Sequence, residues 1–219
     1  MAARTMNTLL HVYEAYTELY RVDRRPELAG KLRRMLDIFS DRVYNPSLRR
    51  LEVFFDSDMN SLIDLNSYGH DIEASWLIDR GTEILGDPEY IRRITPITGA
   101  LADHIHSVAV DDNSLYNECE NGHVDTRKVW WVQAEAVLGF LNGYEKDNSR
   151  TDYLITAGRI WDFIRDYVID RREGSGREWY NELHRDGTPI TAKEMAGPWK
   201  CPYHNGRMCL EILRRNIAF

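Results

Sequence analysis

Ser67-Tyr68-Gly69-His70-Asp71-Ile72-Glu73-Ala74-Ser75-Trp76 places a histidine and two carboxylates within four consecutive positions, where a helix is expected to begin. Ser67 reads as the N-cap and Gly69 as a point where the backbone lets a ligand come close. Ile72, Trp76 and Leu77 then recur at helical spacing on a face to be buried. His70 and Glu73, three apart, share one side of the first turn. Helix-start amides and the positive end of the dipole disfavour an imidazolium there, so His70 is expected to be neutral and able to take a proton. Gly86-Asp87-Pro88 stops this helix near residue 85.

The helical period extends to both sides. From residue 5 to about 20, Met6, Leu9, Leu10, Tyr13, Tyr16, Leu19 and Tyr20 form an apolar stripe, and Asn7, His11 and Glu14 stack beside it at spacings of four and three. Pro26 opens a helix to about residue 43, with Leu28, Leu32, Leu36 and Phe39 inward and Lys31, Arg33 and Arg34 in solvent. Pro88 begins another, reaching near residue 110; its His104 and His106 face different ways and read as structural or exposed. Residues 115–125, with Glu118, Glu120 and His123, lack periodicity. A helix over 126–144 is expected to carry Lys128, Trp131 and Glu135 on one side, and another follows over 152–169. The last runs from near Pro202 to the C-terminus, with His204 in its first turn, as His70 is in its own, and Arg207 and Glu211 as a structural pair. Residues 51–66 and 177–187 read as short hairpins. Seven helices with two hairpins describe an all-α protein in which inner and outer helices alternate around a toroid.

Composition narrows the chemistry. The 219 residues are 43% hydrophobic, enough for a sizeable core, and 35 acidic against 28 basic side chains leave a net charge of −7. That balance argues against a nucleic-acid partner and for an uncharged or cationic ligand. Three cysteines at spacings that fit neither a disulfide framework nor a zinc ribbon point to free thiols in a reducing, cytoplasmic compartment. No stretch approaches the roughly 20 apolar residues of a membrane span. Six Trp, twelve Tyr and six Phe, many beside polar groups as in Trp130-Trp131 and Trp199-Lys200, suit a sugar, which offers an apolar C–H face and a polar rim, although aromatic rings also simply fill cores. Nucleotide loops and HExxH zinc motifs are missing.

Four blocks carry a resemblance. They are residues 6–17 (Met6-Asn7-Thr8-Leu9-Leu10-His11-Val12-Tyr13-Glu14-Ala15-Tyr16-Thr17), residues 67–76 quoted above, Lys128-Val129-Trp130-Trp131-Val132-Gln133-Ala134-Glu135-Ala136, and Trp199-Lys200-Cys201-Pro202-Tyr203-His204-Asn205-Gly206-Arg207-Met208. In order and separation they resemble the cellobiose 2-epimerases of the N-acylglucosamine 2-epimerase superfamily. The resemblance implies an (α/α)6 barrel that opens the reducing-end sugar of a β-1,4-linked disaccharide such as cellobiose or lactose and inverts C2 without a cofactor. It also implies His70 and His204 as acid/base groups, His11 as the third active-site histidine, and Asn7, Glu73, Trp130, Trp131 and Trp199 around the sugar. Family members are much longer, so residues 1–219 correspond to a C-terminal portion whose first half is absent, and a second copy or a separate N-terminal half is the expected partner. Alternatives of the same kind are an aldose–ketose isomerase and an N-acylglucosamine 2-epimerase. A non-catalytic sugar-binding or interaction module, and a zinc site built from His11, His70, His204 and Glu73, stand outside that class.

Overall fold

A computed structural model describes residues 2–217, and seven α-helices run through them. α1 (Met6–Val22) opens on Thr5, whose hydroxyl accepts the Thr8 N–H at 3.2 Å. α2 (Pro26–Ile38) opens on a proline, whose missing N–H costs nothing in a first turn. α3 (Tyr68–Leu85) ends on Gly86 at φ 69°, a left-handed turn that glycine adopts without strain. Asp87 caps α4 (Pro88–Val108) by accepting the Glu89 N–H at 3.1 Å, and its other oxygen takes the Arg33 Nε–H of α2 at 2.8 Å. α5 (Trp130–Lys146), α6 (Thr151–Phe163) and α7 (His204–Arg215) complete the set. α7 stops at Asn216, φ 53°, short of the expected end at Phe219, which lies outside the described residues.

α1, α3, α5 and α7 pack side by side in that order, and α2, α4 and α6 lie against their outer side. Burial separates the two layers. α3 and α5 are covered on nearly every side, including polar positions such as Asp71, Glu73, Gln133 and Glu135, whereas α4 buries one stripe of Ile94, Thr98, Leu101, Ala102 and Ile105. Glycines let the inner helices close up: a Cβ at Gly81 would stand 2.4 Å from the Tyr13 hydroxyl, and one at Gly139 2.5 Å from Ile72.

Two outer helices end alike. The Tyr44 N–H reaches back five residues to the Phe39 carbonyl, and the Ile169 N–H to the Ile164 carbonyl. Each makes one wide turn (Phe39–Val43 and Ile164–Val168) that delivers a valine, Val43 or Val168, into the core.

The strands depart from expectation. Residues 51–66 close on each other through a single bridge, Phe55 to Ser61; their longer pairings are distant, Phe54–Phe55 with Arg4–Thr5 and Leu65–Ser67 with Glu118–Glu120. The aperiodic stretch after residue 115 extends that second pairing to three strands through His123–Asp125. Lys128 does not open a helix. Lys128–Val129 is a strand paired with Glu182–Leu183, and α5 starts only at Trp130. Lys128 therefore leaves the side shared by Trp131 and Glu135. Its ammonium is buried on Asp111 at 2.9 Å and 4.1 Å above the Tyr116 ring, which satisfies the charge away from the inner helices.

Candidate active site

The first turns of all four inner helices meet around one cavity of ≈ 400 Å³. Asn7 and His11 enter from α1, His70 and Glu73 from α3, Trp131 from α5 and His204 from α7, while Pro198, Trp199, Cys201 and Tyr203 close it from the preceding segment. Residues nearly two hundred positions apart are thus gathered because each sits near the start of an inner helix. The shared polarity of four helix starts favours carboxylates and disfavours imidazolium at this end of the layer, and the neighbouring side chains then set the outcome at each group.

His70 lies half-buried with Nδ1 2.7 Å from the Ser67 hydroxyl and its ring 4.8 Å from that of Trp131. Ser67 is the N-cap by position, but its side chain caps no amide and is held by His70 instead. Burial, then repulsion from His11 and His204, pushes the His70 imidazole down to about 4, against a weaker pull from Glu135. The gap left by Gly69 is filled by protein: a Cβ there would lie 2.5 Å from Trp131 Cη2, so the glycine admits the indole rather than a ligand.

His204 Nδ1 is 2.7 Å from Glu135 Oε1 and 3.8 Å from Glu73 Oε1. Its ring is tilted against Trp131 at 5.3 Å and meets Trp130 edge-on at 5.5 Å. Trp130 is buried behind His204 and faces an adjoining hollow, where Lys200 Nζ sits 4.8 Å above its ring; Trp131 and Trp199 line both spaces. Trp199 is 96% exposed. His11 Nδ1 lies 3.0 Å from Glu14 Oε2. Burial alone would lower His11, but the Glu14 hydrogen bond and the charge of Glu73 outweigh it and the imidazole is raised.

Three residues of this centre lay outside the sequence-based set. Glu135 accepts both the His204 Nδ1–H and, through Oε2, the Trp76 Nε1–H at 3.0 Å. Tyr203 donates its hydroxyl to Glu14 at 2.5 Å. Arg207 does not pair with Glu211; its guanidinium binds Glu14, Glu73 and Glu135, while Glu211 is taken by Arg80 at 2.8 Å and by Arg214 at 2.7 Å. Glu73 is raised to about 7 by burial first and by the Glu135 charge next. Burial also acts against Glu135, yet Arg207 and His204 hold it low, so of the two buried carboxyls Glu73 is the one that takes the proton. Glu73, Glu135 and His204 offer ligand atoms within 4.8 Å of one another, but Arg207 already supplies the cation between the two carboxylates. His104 and His106 are structural, bonded at 3.0 Å to Asn66 and to Thr156.

The model of the N-acylglucosamine 2-epimerase (GlcNAc 2-epimerase) family matches residues 1–206. A cellobiose 2-epimerase of Eubacterium cellulosolvens is 47% identical over 233 residues, covering 99% of this chain and 56% of that protein. One from Ruminococcus albus is 45% identical over 216 residues, covering 99% and 55%. The crystal structure of a sugar epimerase from a ruminal bacterium superposes with a TM-score of 0.96 at 44% identity, over 100% of this chain and 55% of that one. The chain therefore spans about half the length of the curated relatives it matches, and over that span its fold is that of the (α/α)6-barrel epimerases. A match that runs nearly from end to end, and keeps the order of the inner and outer helices, places this chain in the N-acylglucosamine 2-epimerase family.

Proposed function

We propose that this chain carries the proton-transfer centre of a 2-epimerase for the reducing-end sugar of a β-1,4-linked disaccharide such as cellobiose. One observation supports the reading above the names of the relatives: His70 and His204 enter a single cavity from different helices, with the Trp131 ring against both. Inversion at C2 requires a hydrogen alpha to the open-chain aldehyde to leave one face of a planar cis-enediolate and return to the other. Neutral His70 takes that hydrogen as a proton. His204, its Nδ1–H directed at Glu135, delivers a proton from Nε2 to the opposite face. The reverse reaction exchanges the two roles, and no electrons leave the sugar. His11 polarises the oxygen on C1. Asn7 Oδ1 and Glu73 Oε2 are buried and without a partner: the amide oxygen accepts a hydrogen bond from a sugar hydroxyl, and the Glu73 carboxyl, which takes the proton, donates one. Trp131 and Trp199 stack on the rings, and Trp130 backs His204.

The helices that the longer relatives possess beyond this portion, or a second copy, cover Leu210 and Leu213 of α7 and Val22 of α1, which stand 70%, 76% and 85% exposed. A reducing, cytoplasmic setting fits three unpaired cysteines, and no helix among the described residues is long and apolar enough to cross a membrane.

The test is incubation with cellobiose in heavy water, with the chain alone and with the remaining portion supplied. Deuterium at C2 and a mannose-ended disaccharide are expected. A ketose-ended product would replace epimerisation by isomerisation, and saturable sugar binding without exchange in either arrangement would reduce the chain to a binder.

A further inference from the structure

Helix spacing assigns Arg207 to Glu211, but its guanidinium lies where the polar contacts of four helices cross. Nη1 donates to Glu14 Oε1 of α1 at 2.6 Å and to the Tyr203 hydroxyl at 2.5 Å. Nη2 donates to Glu73 Oε1 of α3 at 2.5 Å and to Glu135 Oε1 of α5 at 2.8 Å. Glu73 and Glu135 are wholly buried, and Arg207 is itself held against the Trp76 ring at 4.9 Å. Two carboxylates cannot share so dry a space unless a cation lies between them or one takes a proton. Each of the outlying carboxylates also grips an imidazole: Glu14 holds Nδ1 of His11, and Glu135 holds Nδ1 of His204.

We infer that Arg207 is a positioning residue of this site: by holding Glu14, Glu73 and Glu135 at once, it fixes the His11 and His204 rings with Nδ1 on a carboxylate and Nε2 free, and it couples the charge on one imidazole to that on the other. Its consequence for turnover rests on the epimerase reading; the geometry does not. The groups acting on His11 come from three inner helices: Glu14 lies on its own helix, His70 and Glu73 on α3, and Arg207 on α7, with Tyr203 just before it. With all three carboxylates ionised, one guanidinium leaves an excess of two negative charges. Removing Arg207 makes the excess three, and both Glu73 and His11, whose protonation Arg207 opposes, then hold a proton more readily.

The experiment follows the His11 and His204 ring signals by NMR across pH, without sugar, in wild type, R207M and R207K. In R207M, His11 is expected to bind its proton about tenfold more tightly. In R207K, the charge is retained but one ammonium cannot span three carboxylates. There, His11 should titrate within about twofold of wild type, while the Nδ1–H signals of His11 and His204, expected in wild type from their carboxylate hydrogen bonds, are lost. A folded R207M whose His11 titrates as in wild type overturns the inference. If R207M does not fold, R207K decides it, and persistence of both Nδ1–H signals is the overturning result. A wild-type chain that exchanges no hydrogen at C2, alone or with the remaining portion supplied, would refute the epimerase reading and leave both of these measurements in force.

Discussion

Adding one methyl group at Gly69 tests how tightly the first turn of α3 is fitted to α5. An alanine Cβ there would lie 2.5 Å from Trp131 Cη2, 2.7 Å from Cζ3 and 2.7 Å from Val132 Cγ2. The indole cannot yield freely, because His70 and His204 stand 4.8 and 5.3 Å from its centre. Overpacking of this kind costs about 1–3 kcal/mol. Replacing a helical glycine returns roughly 0.5–1 kcal/mol through backbone entropy. The balance of the two midpoints is a loss of about 1.25 kcal/mol, or a fall in Tm of roughly 2.5–5 °C for a chain of this size. Gly69→Ala is therefore expected to unfold earlier in urea and on heating, with an altered tryptophan emission, and to bind cellobiose more weakly. Gly30→Ala, in α2 with nothing within 4 Å of the added atom, is the control and should gain about 0.5–1 kcal/mol. A Gly69→Ala protein that melts at or above wild type with unchanged emission would refute the packing argument.

His70 titrates near 4 in the folded chain against an ordinary 6.5. The unfolded chain takes this proton first, so the contribution to stability is complete above pH 6.5, declines as pH falls from 6.5 to 4, and is absent below. The shift corresponds to about 3 kcal/mol, and the wild-type minus His70→Gln difference in urea stability should fall by that order between pH 7.5 and 4; a difference independent of pH would contradict it. Cys201 and Cys209 are exposed and Cys119 is half-buried, so a thiol reagent should label the first two rapidly and the third slowly. Because Cys201 lines the cavity and Cys209 does not, cellobiose bound in the proposed site should slow labelling of Cys201 alone, and equal rates with and without sugar would count against that site.

Helix starts and stops could be read from local chemistry because local atoms make them: Pro26 and Pro88 occupy first turns, and Gly86 supplies the left-handed stop. The toroidal layering followed from the same marks. Lys128 was misplaced because its spacing to Trp131 and Glu135 is helical, whereas its conformation is set by Glu182 and Leu183, more than fifty positions away. Arg207 was misassigned for a similar reason: the spacing rule names Glu211, but carboxylates from three other helices compete and win. Glu135 carried a signal, a carboxylate flanked by Ala134, Ala136, Val137 and Leu138, that gains meaning only once His204 lies beside it. Ser67 and Gly69 held the expected positions with other partners, a hydroxyl on His70 and a gap for an indole, and neither partner can be deduced from spacing.

The wide turns that finish α2 and α6 bear on which length changes the chain tolerates. Each inserts an extra residue relative to ordinary helical spacing before the backbone straightens. Deleting one residue inside either turn would restore regular winding and, because the extra residue is the one removed, leave Val43 or Val168 within a few tens of degrees of its present direction, whereas the same deletion in the middle of α2 or α6 would rotate every following side chain by about 100° around the axis. A single-residue deletion at these two places is therefore milder than one a turn or two earlier in either helix, where nothing absorbs the lost residue.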